Sequence, residues 1–263
     1  VITATGRADL SAARQAMGSR VAVVPTMGAL HAGHAALLDR ARQLADHVIL
    51  TIFVNPLQFA AGEDLDRYPR TLDADLALAA EHGADLVWAP APEVVYPHGQ
   101  PLVRVHPGPA GDTYEGAARP GHFAGVLTVV AKLFAATRPQ TAVFGAKDAQ
   151  QLSLVRRMVT DLDLDVCIEA HPIVRDSDGL ALSSRNRYLC EEQRAAALSI
   201  PRALQSGSLE KARLILAEEP GLQVAYCDLV DPDTFSTLHR DDDGLIVVAA
   251  YAGTTRLLDN ATA

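Results

Sequence analysis

Residues 48–54, VILTIFV, are apolar at every position but one. A strand with one face in water alternates apolar and polar side chains, so a run without alternation belongs to a strand covered on both faces. VAVVP (21–25), ADLVW (84–88) and TAVF (141–144) read the same way, and a further strand is expected over 165–174. Helical stripes fall between these runs. His34, Leu37, Leu38, Ala41 and Ala45 recur at spacings of three and four, as do Phe123, Val126, Leu127, Val130, Leu133 and Phe134. Residues 73–82 and 149–162 also read as helices. Such β-α alternation predicts a parallel sheet joined by right-handed crossovers.

The pattern changes after residue 174. Helices are expected over 191–204 and 208–218, around a short Gly/Ser stretch at 206–208. Strands follow at 224–230, 245–251 and 255–258. The expected fold class is therefore α/β: a Rossmann-like parallel-sheet domain over residues 1–174, then a smaller α+β domain over 175–263. The acidic run Asp241 to Asp243 reads as a solvated turn. There is no internal repeat.

Composition narrows the function classes. Of 263 residues, 49% are apolar and 21% charged, which fits a folded globular chain. The formal charge of −9 opposes binding to nucleic acid or to an anionic membrane surface, while leaving room for a small basic pocket. No apolar run nears the roughly 18 residues that a membrane span needs. The residues after Val1 lack a signal-peptide pattern, and a start at Val1 reads as a trimmed or processed chain. Cys167, Cys190 and Cys227 are too sparse for a disulfide framework, so a reducing cytoplasm is expected.

The densest cluster of chemically able residues is PTMGALHAGH, residues 25–34. It joins the first predicted sheet strand to the following helix, at the carboxyl edge where such sheets bind ligands. Amides at a helix start attract anions, and Gly33 lets a ligand approach the backbone closely. His31 and His34, three apart, can face one mouth. The residues alone leave two readings open: histidines that cap a helix, or donors to an anionic ligand. A zinc site is disfavoured, because no H-E-x-x-H helix or third clustered ligand is present. Lys147 follows TAVFG at the same predicted edge.

PTMGALHAGH resembles the HxGH signature of nucleotidyltransferases and class I aminoacyl-tRNA synthetases. More narrowly, it resembles the pantoate–β-alanine ligase (pantothenate synthetase) family. The resemblance recurs in order through FVNPLQF (53–59), YPRT (68–71), RPGHFAGVLTVVAKL (119–133), FGAKDAQQL (144–152), GLALSSRNRYL (179–189) and GTTRLLDN (253–260). It implies an ATP-dependent ligase that forms pantoyl adenylate and pyrophosphate, then lets β-alanine displace AMP.

On that resemblance His34, His31, Lys147 and Arg185 are the catalytic candidates. ATP is assigned to Pro25, Thr26, Met27, His31, Gly33, His34, Gly145, Lys147, Asp148, Val174, Leu182, Ser183, Ser184 and Arg185. Gln58, Gln151 and Met27 are assigned to pantoate and β-alanine. Ser183 to Arg185 resemble the family's mobile ATP-closing loop, which makes the C-terminal domain a lid. ATP chemistry implies Mg²⁺, held mostly by phosphates and water. The metal ligands are unassigned, with Asp148 and Asp75 as uncommitted candidates. A homodimer is also implied. His122 and Tyr68 are open between substrate contact and a structural role. Three alanines depart from the family pattern: Ala32 (HEGH), Ala146 (FGEKD) and Ala149, where an aromatic is frequent. Two other readings remain, a different HxGH nucleotidylyltransferase and a nucleotide-binding module without turnover.

Overall fold

The computed structural model describes residues 1–60, 65–239 and 243–263. Asp241 and Asp242 of the acidic run lie outside the described residues. The chain forms two compact units, Val1–Gly145 with Leu154–His171, and Ala146–Ser153 with Pro172–Ala263.

The first unit is built on a six-stranded parallel sheet in the order β1-β4-β3-β2-β5-β6. Its strands are β1 (Ile2–Ala4), β2 (Val21–Thr26), β3 (His47–Ile52), β4 (Leu86–Trp88), β5 (Thr141–Gly145) and β6 (Cys167–His171). Helices α1 (Arg7–Ala16), α2 (Ala32–Leu44), α3 (Leu72–Glu81), α4 (Pro92–Val95), α5 (Glu115–Ala118) and α6 (His122–Thr137) connect the first five, and α7 (Ala149–Asp161) precedes β6. The sheet is covered on both faces, as its sequence demands. Ala22, Val24, Val48 and Leu50 join Leu37, Leu38, Ala41 and Ala79 in one core, while the alternate residues Val21, Val23 and Ile49 are equally buried.

Two pieces of this unit had no periodic signal. β1 is three residues long and largely exposed, and α1 buries only Leu10 and Arg14. Arg14 does work that an apolar residue could not. Its Nε donates to the Thr137 carbonyl at 2.7 Å and its Nη2 to the Arg138 carbonyl at 2.8 Å, closing the C-terminal end of α6. Carbonyls left over at a helix end need such donors, and a cation there suits the helix dipole.

The second unit packs α8 (Glu191–Ala197), α9 (Ser199–Leu204) and α10 (Leu209–Ala217) with an antiparallel sheet of β7 (Leu222–Val230), β8 (Leu245–Ala252) and β9 (Thr255–Thr262). Its core joins Ala197, Ile200, Leu204 and Leu216 to Leu229, Ile246 and Val248. The helix expected over 191–204 is two helices, parted at Leu198. Pro201 has no N–H for the Ala197 carbonyl, so an unbroken ladder cannot form.

Leu38, wholly buried on α2, anchors the helix whose first turn carries the histidines. Leu38→Ala is expected to cost about 2–5 kcal/mol of stability, measured as a lowered urea midpoint with an unchanged m-value.

Candidate active site

The sheet reverses its direction of winding between β2 and β5. From β2 the chain continues to β3 on one side, and from β5 to β6 on the other. The two strands pair at Ala22–Thr141 and Val23–Ala142 and then run on to Thr26 and Gly145 without further pairing. Carboxyl ends that part in this way form the crevice in which parallel sheets bind ligands.

The loop leaving β2 is held by a buried carboxylate. Gly28 and Ala29 both take positive φ, at 84° and 52°, which turns the chain sharply. Asp75 of α3, only 2% exposed, accepts the Ala29 amide at 3.0 Å, the Leu30 amide at 2.8 Å and the Thr71 hydroxyl at 3.1 Å. A Cβ at position 28 would come within 3.0 Å of Asp75 Oδ2 and of the Ile52 side chain, so the turn suits glycine twice over. Thr26 adds a further tie, donating its hydroxyl to the Thr51 carbonyl at 2.7 Å.

His31 is the N-cap of α2. Its Nδ1 accepts the Gly33 amide at 3.1 Å, and His34 Nδ1 accepts the His31 amide at 3.3 Å. The rings lie 4.1 Å apart between centroids. A nitrogen that accepts cannot carry a proton, so in each neutral ring the single N–H sits on Nε2. Capping therefore leaves each histidine one donor, on the nitrogen remote from the cap. Ala32 is the exposed first residue of α2, and no acidic residue occupies that first turn.

Gln58 sits at the end of a 3-10 turn, Pro56–Gln58, which Asn55 secures as its N-cap. Asn55 is 1% exposed; its Oδ1 accepts the Leu57 amide and the Tyr96 hydroxyl, and its Nδ2 donates to Gln58 Oε1 and the Gly125 carbonyl. Burial pushes the Tyr96 phenol above its usual pKa, against the pull of Arg104, which keeps the hydroxyl a donor. Gln58 Nε2 in turn reaches Met27 Sδ at 3.1 Å. Gly125 lets α6 lie directly on this turn, for a Cβ there would collide with the Leu57 carbonyl oxygen.

His122 and Arg119 hold the same turn from its backbone. The Gln58 carbonyl meets His122 Nδ1 at 2.8 Å and accepts from Arg119 Nη2 at 3.2 Å, while Arg119 Nη1 lies 3.1 Å from His122 Nε2. A guanidinium only donates, so His122 Nε2 accepts and its proton is on Nδ1, the reverse of His31 and His34. Tyr68 is buried, its ring packed edge-on against Phe59.

The second unit carries the remaining candidates. Lys147 Nζ donates to Asp148 Oδ1 at 3.0 Å. Gln151 lies half-buried in the first turn of α7, beside the buried Gln150. Val174 and Leu182 face one another across a hairpin, with the Leu182 amide on the Val174 carbonyl at 2.9 Å. Arg194 of α8 holds that hairpin through Asp176 at 2.7 Å and Asp178 at 2.8 Å. Ser183 follows as the N-cap of a 3-10 turn, Ser184–Tyr188, its hydroxyl accepting the Arg185 amide.

Comparison with known proteins identifies the lineage. The family described as pantoate-beta-alanine ligase matches residues 3–262. This chain belongs to the pantoate–β-alanine ligase family. It is an enzyme of the ligase class. A pantothenate synthetase of Nocardioides sp. is 52% identical over 272 residues, covering 96% of this chain and 81% of the relative. The crystal structure of pantothenate synthetase from Thermus thermophilus superposes with a TM-score of 0.92 at 45% identity, covering 99% of each chain. The Francisella tularensis pantoate-beta-alanine ligase, solved in complex with beta-gamma ATP and β-alanine, gives a TM-score of 0.87 at 34% identity, covering 100% of this chain and 97% of that one.

Within the family frame, the first unit assembles Pro25, Thr26, Met27, His31, Gly33, His34 and Gln58 around its crevice, with Gly145 ending β5. The second unit holds Lys147, Asp148, Gln151, Val174, Leu182, Ser183, Ser184 and Arg185. Sequence reading missed Asn55, Arg119 and the bracing role of Asp75, each of which also has a partner far away in the chain. The N-P pair in FVNPLQF is the one local hint, because Asn before Pro suits a turn cap. Among the described residues there is no group of three or more His, Cys, Asp or Glu able to hold a metal.

Asp75→Asn is expected to preserve folding but lower catalytic turnover about 10- to 100-fold, since an amide NH₂ would face a loop N–H. Steady-state kinetics beside a melting curve reads both effects; turnover equal to wild type would show that the loop keeps its shape without the carboxylate.

Proposed function

We propose that this chain condenses pantoate with β-alanine to pantothenate in two ATP-dependent steps. The pantoate carboxylate, already ionised at neutral pH, attacks the α-phosphorus of ATP and releases pyrophosphate, giving pantoyl adenylate. The β-alanine amine then attacks the acyl carbon, and AMP leaves. The observation that carries this reading is the pair of histidines that opens α2 beside the β2–β5 crevice, each fixed through Nδ1 to a backbone amide of that turn.

The first step needs alignment and charge neutralisation more than a base. His31 and His34 donate to the α-phosphate as negative charge builds on it. Lys147 and Arg185 hold the phosphate chain, the lysine as a compact charge and the arginine as a planar fork. The second unit, with Ser183, Ser184 and Arg185, acts as a lid that keeps water from the acyl adenylate. Gln58, its amide fixed between Asn55 and Met27, orients the pantoate hydroxyls and carboxylate and then the incoming β-alanine. Gln151 serves the same pocket, and Met27 covers apolar carbon.

Mg²⁺ bound with ATP would shield phosphate charge. Such an ion would be carried largely by phosphate and water, with Asp148 as the candidate carboxylate. Asp75 does not fit that duty, since its oxygens already accept two amides and a hydroxyl. We further infer a cytoplasmic homodimer. Cys167, Cys190 and Cys227 are all free, as a reducing compartment allows, and no described helix is long and apolar enough to cross a membrane.

Pyrophosphate release from ATP and pantoate, with and without β-alanine, tests the reaction directly. ATP binding without pyrophosphate would leave only a nucleotide-binding module. His34→Ala should slow adenylation by about 10²–10³, the scale for losing one preorganised donor, with a much smaller change in ATP affinity.

Lys147→Ala should harm adenylation more than the second step, because pyrophosphate has already departed by then. Single-turnover reaction of preformed pantoyl adenylate with β-alanine separates the two. Equal losses would assign the lysine another role.

A further inference from the structure

Asn260 lies on β9, 113 positions beyond Lys147, and is 6% exposed. Its Nδ2 donates to the Ala146 carbonyl and to the Lys147 carbonyl, each at 3.0 Å. One amide group thus spends both of its protons on consecutive peptide units of the lysine loop. Asn260 is itself held by its neighbour. Asp259, 4% exposed, accepts the Asn260 backbone N–H at 2.8 Å and pairs with both terminal nitrogens of Arg175, at 2.6 and 2.9 Å. Arg175 Nη1 also donates to the Gly179 carbonyl at 3.2 Å, inside the hairpin that leads to Ser183. A fork-to-carboxylate pair of this kind fixes direction as well as distance.

We propose that Asn260 is a positioning residue for Lys147, and that the Arg175–Asp259 pair sets the strand from which it acts. The inference rests on the reading of Lys147 as a phosphate-binding residue. A lysine side chain is long and flexible, so the site of its charge depends on where its backbone starts. Two bonds from one buried amide remove the freedom of the peptide units on either side of the Lys147 Cα. Restricting the loop in advance lowers the ordering cost when a phosphate is gripped.

The test pairs two substitutions of similar volume, Asn260→Asp and Asn260→Leu, each removing both donors, with the same changes made in a Lys147→Ala background. Adenylation is read as pyrophosphate release, and hydrogen exchange is read at the amides of residues 146–148 without ATP. The expected result is a fall in adenylation of about 10- to 100-fold for either substitution, nearly absent when Lys147 is already alanine, with faster exchange across the loop. Non-additivity of this kind marks residues acting through one another. Wild-type rates in both variants would overturn the proposal, as would losses that simply multiply with Lys147→Ala. If neither variant melts cooperatively, Asn260 is a folding residue and the assignment falls. Should the wild-type chain release no pyrophosphate, the proposed reaction fails, and the exchange arm still decides whether Asn260 orders the loop.

Discussion

The crevice between β2 and β5 exists because two neighbouring parallel strands send their connections opposite ways. Asp75 and Thr26 hold the loop that leaves β2 at that opening, and Gln58 reaches its Met27. The opening itself costs backbone pairing, since β2 and β5 give up their ladder after Val23 and Ala142. Their outer neighbours make good the loss. β2 pairs with β3 along its whole length, and β5 with β6 along its own. A parallel sheet can therefore be parted at one seam without fraying.

Polar groups in this protein are buried where the backbone has to be irregular. Asp75 meets the amides of a turn with two consecutive positive-φ residues, Asn55 fills four bonds around a 3-10 turn, and Arg14 closes the end of α6. Each site would leave several unmet amides or carbonyls if the polar side chain were replaced by an apolar one, at about 1–3 kcal/mol apiece. The apolar core supplies most of the folding free energy. The buried polar groups select one loop geometry out of many that the core would tolerate.

The sheet and the long helices were readable in sequence because burial on both faces leaves β2 and β3 almost continuously apolar, while α2 and α6 carry apolar stripes at spacings of three and four. β1 and α1 were not, being too short or too thinly apolar to show either pattern. The split between α8 and α9 lay open to reading, since Pro201 cannot donate inside a helix. The candidate site divides the same way. PTMGALHAGH sits compactly in sequence, so its local geometry could be foreseen, including the capping of α2 by His31. The braces could not be foreseen. Asn55 reaches Tyr96 and Gly125, and Asp75 reaches Ala29, across 41, 70 and 46 positions, and no short motif encodes a contact of that span.

The bond between Asn260 and the Lys147 loop also has a bearing on synthesis. A ribosome emits the chain in order, so the 113 residues separating the two take about 6–23 s to appear at typical rates. For that interval β2, β3 and the histidine turn are already out, while the loop that follows β5 has no amide to hold its carbonyls. A nascent chain interrupted before β9 would thus carry all six parallel strands and a lysine loop without these two bonds. The lysine loop therefore gains these two bonds only once β9 has been made.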